Sequence, residues 1–261
     1  NEEGGYKALS INSQLVEAAA YGTFSFSTLP TALTNSLSQY VNAFIPYQEV
    51  DSASNDDINL FVLLRNTEFL SNTISLPVVI PDSAMVSAYY NNRNNNILLS
   101  AAIPRLKMGE MELLQTIVDI DNDTLSPQMG VFGRTRFYQG GADTIRAAFG
   151  AKALNDSVNL RAFAGDPSKA MELYAFVDSD IHFTSREEGA MPLIDVGLNP
   201  GAIFVNRQRF NIMPATLQID SNRYVVNNFE LRDTVGGNLR IDGAVSATDQ
   251  DTLRVAIDQL Y

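Results

Sequence analysis

The stretch Leu239-Arg240-Ile241-Asp242-Gly243-Ala244-Val245-Ser246, joined through Ala247-Thr248-Asp249-Gln250-Asp251 to Thr252-Leu253-Arg254-Val255-Ala256-Ile257-Asp258, decides the fold class. In the first run Leu239, Ile241, Gly243 and Val245 alternate with Arg240, Asp242, Ala244 and Ser246. In the second, Leu253, Val255 and Ile257 alternate with Thr252, Arg254, Ala256 and Asp258. Successive side chains of a strand point to opposite faces, so a period of two marks a half-buried strand. The short polar joint between the runs makes the pair a hairpin.

The same unit recurs upstream with other fillings: Ile203 and Val205, then Phe210 and Ile212, then Leu217 and Ile219, then Val225, Phe229 and Leu231. Turn chemistry separates them at Asn206–Arg209, Met213-Pro214, Asp220–Arg223 and Asp233–Asn238. The middle third shows further apolar runs at Met85–Tyr90, Ile97–Ile103, Leu113–Ile120, Val131–Tyr138, Thr144–Phe149, Ser157–Phe163 and Leu173–Phe183. Many short strands at a regular spacing describe an all-β, mostly antiparallel chain. The first third is mixed. Leu29, Leu33, Leu37 and Tyr40 recur at helical spacing behind Ser27, Thr28 and Pro30, which predicts one amphipathic helix over Leu29–Val41. Strands are expected around Leu15–Phe26, Ile58–Leu64 and Leu76–Ile80, and a helical turn at Thr67–Asn72. Residues 1–261 read as one continuous β-rich segment. The chain has no initiating Met and stops after a strand-like run, so a fragment of a longer protein is expected.

Sustained alternation favours a sheet with one dry and one wet face. The dry face must then be covered by something. The residues expected to line it are Ile203, Val205, Leu217, Ile219, Leu239, Ile241, Val245, Leu253, Val255 and Ile257.

Composition narrows the chemistry. Among 261 residues, 18 Lys and Arg stand against 30 Asp and Glu, a formal charge of −12, with one His and no Cys or Trp. An acidic chain lacks the electrostatic footprint for nucleic acid and is repelled by anionic headgroups. Thiol chemistry, disulfides and His-rich zinc sites are excluded. No apolar run reaches the roughly 20 residues of a membrane-spanning helix.

The strings that suggest catalysis or metal binding also have plainer readings. Asp119, Asp121 and Asp123 occupy the first, third and fifth places of a calcium loop, but Thr124 and Gly130 stand where the loop needs Gly and Glu. A strand running into a turn accounts for them. Asp178, Asp180 and His182 share one face of a strand, as a polar outer face requires. Glu187, Glu188 and Asp195 have no defined separation for a glycosidase pair, and nucleophile-elbow, S-x-x-K and P-loop motifs are absent. The 10 Tyr and 14 Phe read as scattered over the strands, for core packing. No catalytic residue, cofactor or metal ligand is expected, and the chain reads as a non-enzyme.

Asp followed by Ser or Thr and an aliphatic residue recurs, with its hydroxyl at Ser52, Ser83, Thr124, Thr144, Ser157, Thr234 and Thr252. The triplet resembles the O-glycosylation acceptor of exported Bacteroidota proteins. A turn ending in Asp followed by a strand opening produces it equally well.

The order of the C-terminal strands, from about Leu198 to Ile257, resembles the Bacteroidota branch of TamB, the translocation and assembly module subunit, within the AsmA-like group. That branch carries a phrase L-x-I-x-G-x-[IV]-S with a downstream D-x-L-x-[VIL]. It is matched here by Leu239, Ile241, Gly243, Val245, Ser246, Asp251, Leu253 and Val255. Phe210 stands where the family favours Trp. The resemblance implies an elongated, twisted β-sheet trough, or β-taco, with a hydrophobic groove. It further implies a periplasmic segment of a protein anchored in the inner membrane. Its work would be phospholipid transfer to the outer membrane and outer-membrane protein assembly beside a barrel of the TamA or BamA type, with acyl chains against the dry face. The alternative from a different class is a structural or adhesive β-sandwich of an exported surface protein, in which a second sheet covers the same residues.

Overall fold

The computed structural model describes residues 5–49, 55–68, 78–122, 128–139, 145–166, 173–187, 190–247 and 250–259. Among these, 17 strands and one helix form an almost wholly antiparallel β protein. The helix, α1, runs Leu29–Val41 as the apolar stripe predicts. Backbone contacts divide the chain into two units, residues 1–37 with 47–148 and residues 38–46 with 149–261.

The first unit is an antiparallel meander in which each strand pairs with the next: β1 (Tyr6–Asn12), β2 (Val16–Thr23), β3 (Asp57–Leu64), β4 (Ala84–Asn91), β5 (Asn96–Met108), β6 (Met111–Asn122) and β7 (Met129–Gln139). Strand β1 is absent from the expectation because Tyr6-Lys7-Ala8-Leu9-Ser10-Ile11 sets a lysine among its apolar alternates. Of the strand expected at Leu76–Ile80, residues 76 and 77 lie outside the described residues, and Val79 makes an isolated bridge to Lys107. The expected turn at Thr67–Asn72 lies largely outside the described residues. One end of the ladder is closed by Tyr90, Ile97, Asn122 and Met129, all buried. The Tyr90 hydroxyl shares a 3.0 Å hydrogen bond with Ser36 of α1, and burial pushes the phenol above its ordinary pKa.

In the second unit β9 (Ser157–Gly165) pairs with β10 (Leu173–Thr184), and β10 bears two strands along its other edge: β11 (Leu193–Leu198) and β12 (Gly201–Val205). These two form one arm of a long hairpin, broken at Asn199-Pro200. The other arm is β13 (Gln208–Ile212) and β14 (Ala215–Asp220), broken at Met213-Pro214. Proline cannot donate to a ladder, so both breaks fall where it stands. Asn206 and Arg207 at the tip have φ of 50° and 68°, the paired left-handed conformation of a tight two-residue turn. Strand β15 (Arg223–Asp233) spans both β13 and β14, followed by β16 (Asn238–Ser246) and β17 (Leu253–Asp258). The remaining strand, β8 (Ile145–Leu154), contains the boundary between the units.

Two devices set the register at the C-terminal end. Asn228, at φ 57°, inserts one extra residue between Val226 and Phe229, which face Gly243 and Ile241 of β16. Such a bulge shifts the phase of the strand. Val226 therefore shares a face with Phe229 and Leu231, and Val225, which the simple alternation groups with them, lies on the reverse face. The second device is Gly243, at φ 123°, where a Cβ would stand 2.1 Å from the carbonyl oxygen of Thr252. That oxygen accepts a 3.0 Å hydrogen bond from the Ala244 amide. Glycine lets β17 approach β16 here, which gives the Gly of the L-x-I-x-G phrase a physical cause. Gly243→Ala should release β17 while leaving the rest of the ladder formed. Hydrogen exchange is expected to accelerate at Arg254 and Ala256, whose amides face β16 in the hydrogen-bonded pairs of this ladder, and to stay unchanged in β10 and β11. Unchanged protection of β17 would contradict this account.

Candidate functional site

The ladder registers determine which side chains share a face. In the second unit Val158, Ile181, Val196, Leu217, Val226, Gly243 and Leu253 form one continuous row across the strands. Phe183, Ile194, Ile219, Tyr224 and Val245 form the next row on the same side. Beyond the bulge the face continues through Phe229, Ile241 and Val255, and through Ile212, Leu231, Leu239 and Ile257. Ile203 and Val205 reach it from β12, opposite Ala175 and Leu173 of β10. All ten residues expected to line a dry face thus lie on one side of one ladder.

None of the ten is buried. Val205, Val245, Leu253, Val255 and Ile257 are exposed, Ile257 at 68%, and the other five are half-buried. At one end the face is stopped: Phe44 packs edge-on against Phe183 with ring centroids 4.7 Å apart, and the Ala43 amide donates to the Asp156 carboxylate at 2.7 Å. The remainder carries no covering element among the described residues.

The first unit has a face of the same kind, outside the sequence expectation. Ala20, Leu60, Ala88, Leu99, Ile120 and Val131 make one cross-strand row, and Ala18, Val62, Val86, Ala101 and Val118 the next. These residues are half-buried or, for Leu60, exposed. The apolar run in each strand was its signal. Only the ladder order shows that the runs align.

The reverse face of the second unit is a hydrogen-bonded polar lattice. Asn199 donates through Nδ2 to Asp178 at 3.0 Å and to Asp180 at 2.9 Å. Arg161 donates to Asp178 at 2.9 Å, Asn159 to Asp180 at 3.0 Å, and Gln218 to Asp195 at 2.8 Å. The hydrogen bonds from Asn159 and Asn199 hold the Asp180 carboxyl below its ordinary pKa. His182 Nδ1 meets Ser157 Oγ at 3.0 Å. The Asp178, Asp180 and His182 side chains therefore sit where a wet strand face puts them, tied to cross-strand neighbours. At the calcium-like string, β6 runs on to Asn122, Asp119 accepts from Ser100 at 2.6 Å, and Asn122 accepts the Ile97 amide at 2.5 Å, with residues 123–127 outside the described set. Glu188 also lies outside it. Among the described residues no cluster of three or more acidic or His side chains is arranged to hold a metal ion, and no helix is long and apolar enough to cross a membrane.

Of the seven triplet hydroxyls, Ser52, Thr124 and Thr144 fall outside the described residues. Ser83, Ser157, Thr234 and Thr252 are exposed, each in a turn or at a strand opening. Asp233, ahead of Thr234, is buried and accepts from the amides of Val235, Gly236 and Gly237 at 2.7–2.9 Å. Exposed hydroxyls in turns fit both readings of the triplet.

Comparison with known proteins gives no match to a family model, to a curated protein or to a solved structure.

The exposure pattern separates residues that hold the sheet from residues that only face outward. Val255→Asp, at a position 56% exposed, should lower stability by less than about 1 kcal/mol. Ile212→Asp, at a position 5% exposed, should cost more than about 3 kcal/mol by burying an unpaired carboxylate. Urea denaturation of the two variants checks this, and equal midpoints would contradict it.

Proposed function

We propose that this chain is a periplasmic segment of a bridge-like lipid transfer protein, in which acyl chains of phospholipids occupy the apolar ladder face. The observation that carries this reading is the alignment of ten aliphatic residues, from Ile203 to Ile257, on one side of a single ladder with none of them buried. Soluble proteins rarely leave a contiguous apolar patch larger than a few hundred Å² unless something binds there. Each Å² taken from water contributes roughly 25 cal/mol, so a lipid tail would be held by area alone. Passage along such a face calls for no directional bond and no catalytic group. The proposed protein is accordingly not an enzyme.

The resemblance of the stretch from about Leu198 to Ile257 to the TamB branch supports the wider reading. It assigns the work to the periplasm, in a parent anchored in the inner membrane, with transfer of phospholipid between the inner and outer membranes. Support of outer-membrane protein assembly beside a barrel of the TamA or BamA type belongs to the same proposal. The alternative of a structural or adhesive β-sandwich would bury these residues against a second sheet, and their exposure favours the lipid reading.

Native mass spectrometry of the chain purified from a bacterial envelope without detergent tests the proposal. The wild-type chain is expected to carry phospholipid, and the double variant Ile241→Asp with Val255→Asp to lose at least about four-fifths of it while keeping its far-ultraviolet circular dichroism. That loss corresponds to about 1 kcal/mol, a modest share of the desolvation cost of two carboxylates. Absence of lipid from the wild type, or equal lipid in both chains, would overturn the proposal.

A further inference from the structure

The reverse face of the first unit holds an open groove of about 550 Å³ that the lipid reading does not use. Its floor is the backbone of Leu60, Ala88, Leu99 and Ile120, whose side chains belong to the apolar side. Its walls are the two flanking rows. One row, in order across β2 to β6, is Tyr21, Asn59, Tyr89, Leu98 and Asp121. The other contains Phe61, Ser87, Ser100 and Asp119.

The two halves of the groove differ in chemistry. On β2 to β4 three aromatic rings share the face: Tyr21 and Tyr89 are two strands apart, about 9.5 Å at ordinary strand spacing, and Phe61 stands one step along the strand between them. Asn59, with both a donor and an acceptor, lies between the tyrosines. On β5 and β6 the face turns to acceptors and hydroxyls, where Asp119 takes a 2.6 Å hydrogen bond from Ser100 and Asp121 is exposed. Scattered in sequence, these aromatics are gathered by the registers onto one wall, contrary to the expectation that they serve the core.

Among the described residues no Lys, Arg or His lines the groove. Two carboxylates repel phosphate, sulfate and acidic sugars, and an acyl chain laid over them would strip their water without replacing it. A suitable ligand presents flat apolar faces to the rings and neutral hydroxyls to the carboxylates and amide. We propose that this groove binds an uncharged carbohydrate chain, with its sugar rings stacked on Tyr21, Phe61 and Tyr89 and its hydroxyls donated to Asp119 and Asp121. The site stands on the face opposite the apolar rows, and its occupation is independent of lipid.

Isothermal titration of the full chain with cellohexaose and with maltohexaose, two neutral glucose hexamers of different linkage, tests the site. At least one should bind saturably. Tyr89→Ala should weaken that binding about 10-fold, in line with roughly 1.4 kcal/mol per decade, and Tyr89→Phe should bind within about 2-fold of wild type because the ring is retained. Tyr21→Ala, at a position 43% exposed, supplies a second readout that does not threaten the fold. Vesicles of phosphatidylglycerol should not compete. Failure of both hexamers to bind, wild-type affinity in Tyr21→Ala and Tyr89→Ala, or displacement of bound sugar by the vesicles would each overturn the proposal.

Discussion

An apolar ladder face that no element among the described residues covers is the constraint on which the rest of the structure depends. Ordinarily a sheet buries such a face against helices or another sheet, and the area removed from water supplies much of the stability. Here the aliphatic rows through Leu217 and Ile219, and those through Leu60 and Val62, remain half-buried or exposed. The sheet must therefore draw more of its stability from its own ladders and cross-strand pairs. Its buried side chains among the described residues include Tyr90, hydrogen-bonded to Ser36 of α1, and Ile212 and Ala215 at the break between β13 and β14, with Ser179 and Ala244 inside β10 and β16.

The wet face answers this need in the second unit. Asp178, Asp180 and Asp195 are each tied to a neighbour across the ladder by Arg161, Asn159, Asn199 or Gln218. Arg223 reaches Asp251 with three hydrogen bonds of 3.1–3.4 Å and so clips the loop before β17 to β15. Exposed pairs of this kind contribute little singly. Their service is to fix register, because a one-residue slip would carry every aliphatic side chain to the wet side. The two faces thus divide the work: polar pairing keeps the strands aligned, and alignment keeps the apolar rows continuous.

Much of this was legible in the sequence. Strict alternation at Leu239–Val245 and Leu253–Ile257 locates β16, β17 and the face they share, and the stripe Leu29, Leu33, Leu37 and Tyr40 locates α1. What alternation cannot carry is phase across an insertion. The bulge at Asn228 moves Val225 to the other side, and a register shift between Leu114 and Ile117 on β6, where Gln115 has φ 53°, does the same in the first unit. Strand β11 was obscured because Leu193 and Ile194 are both apolar and blur its period. The aromatic wall of Tyr21, Phe61 and Tyr89 was invisible for a different reason: its members are 28 or more residues apart, and only the pairing of β2, β3 and β4 brings them together.

The most direct test of the central claim is site-specific photo-crosslinking in a bacterial envelope. A benzophenone side chain placed at Ile241 should form adducts with radiolabelled phospholipid, whereas the same group at Arg240, one residue away on the opposite face, should form none. Equal labelling at the two positions, or labelling at Arg240 alone, would contradict an apolar face that receives acyl chains.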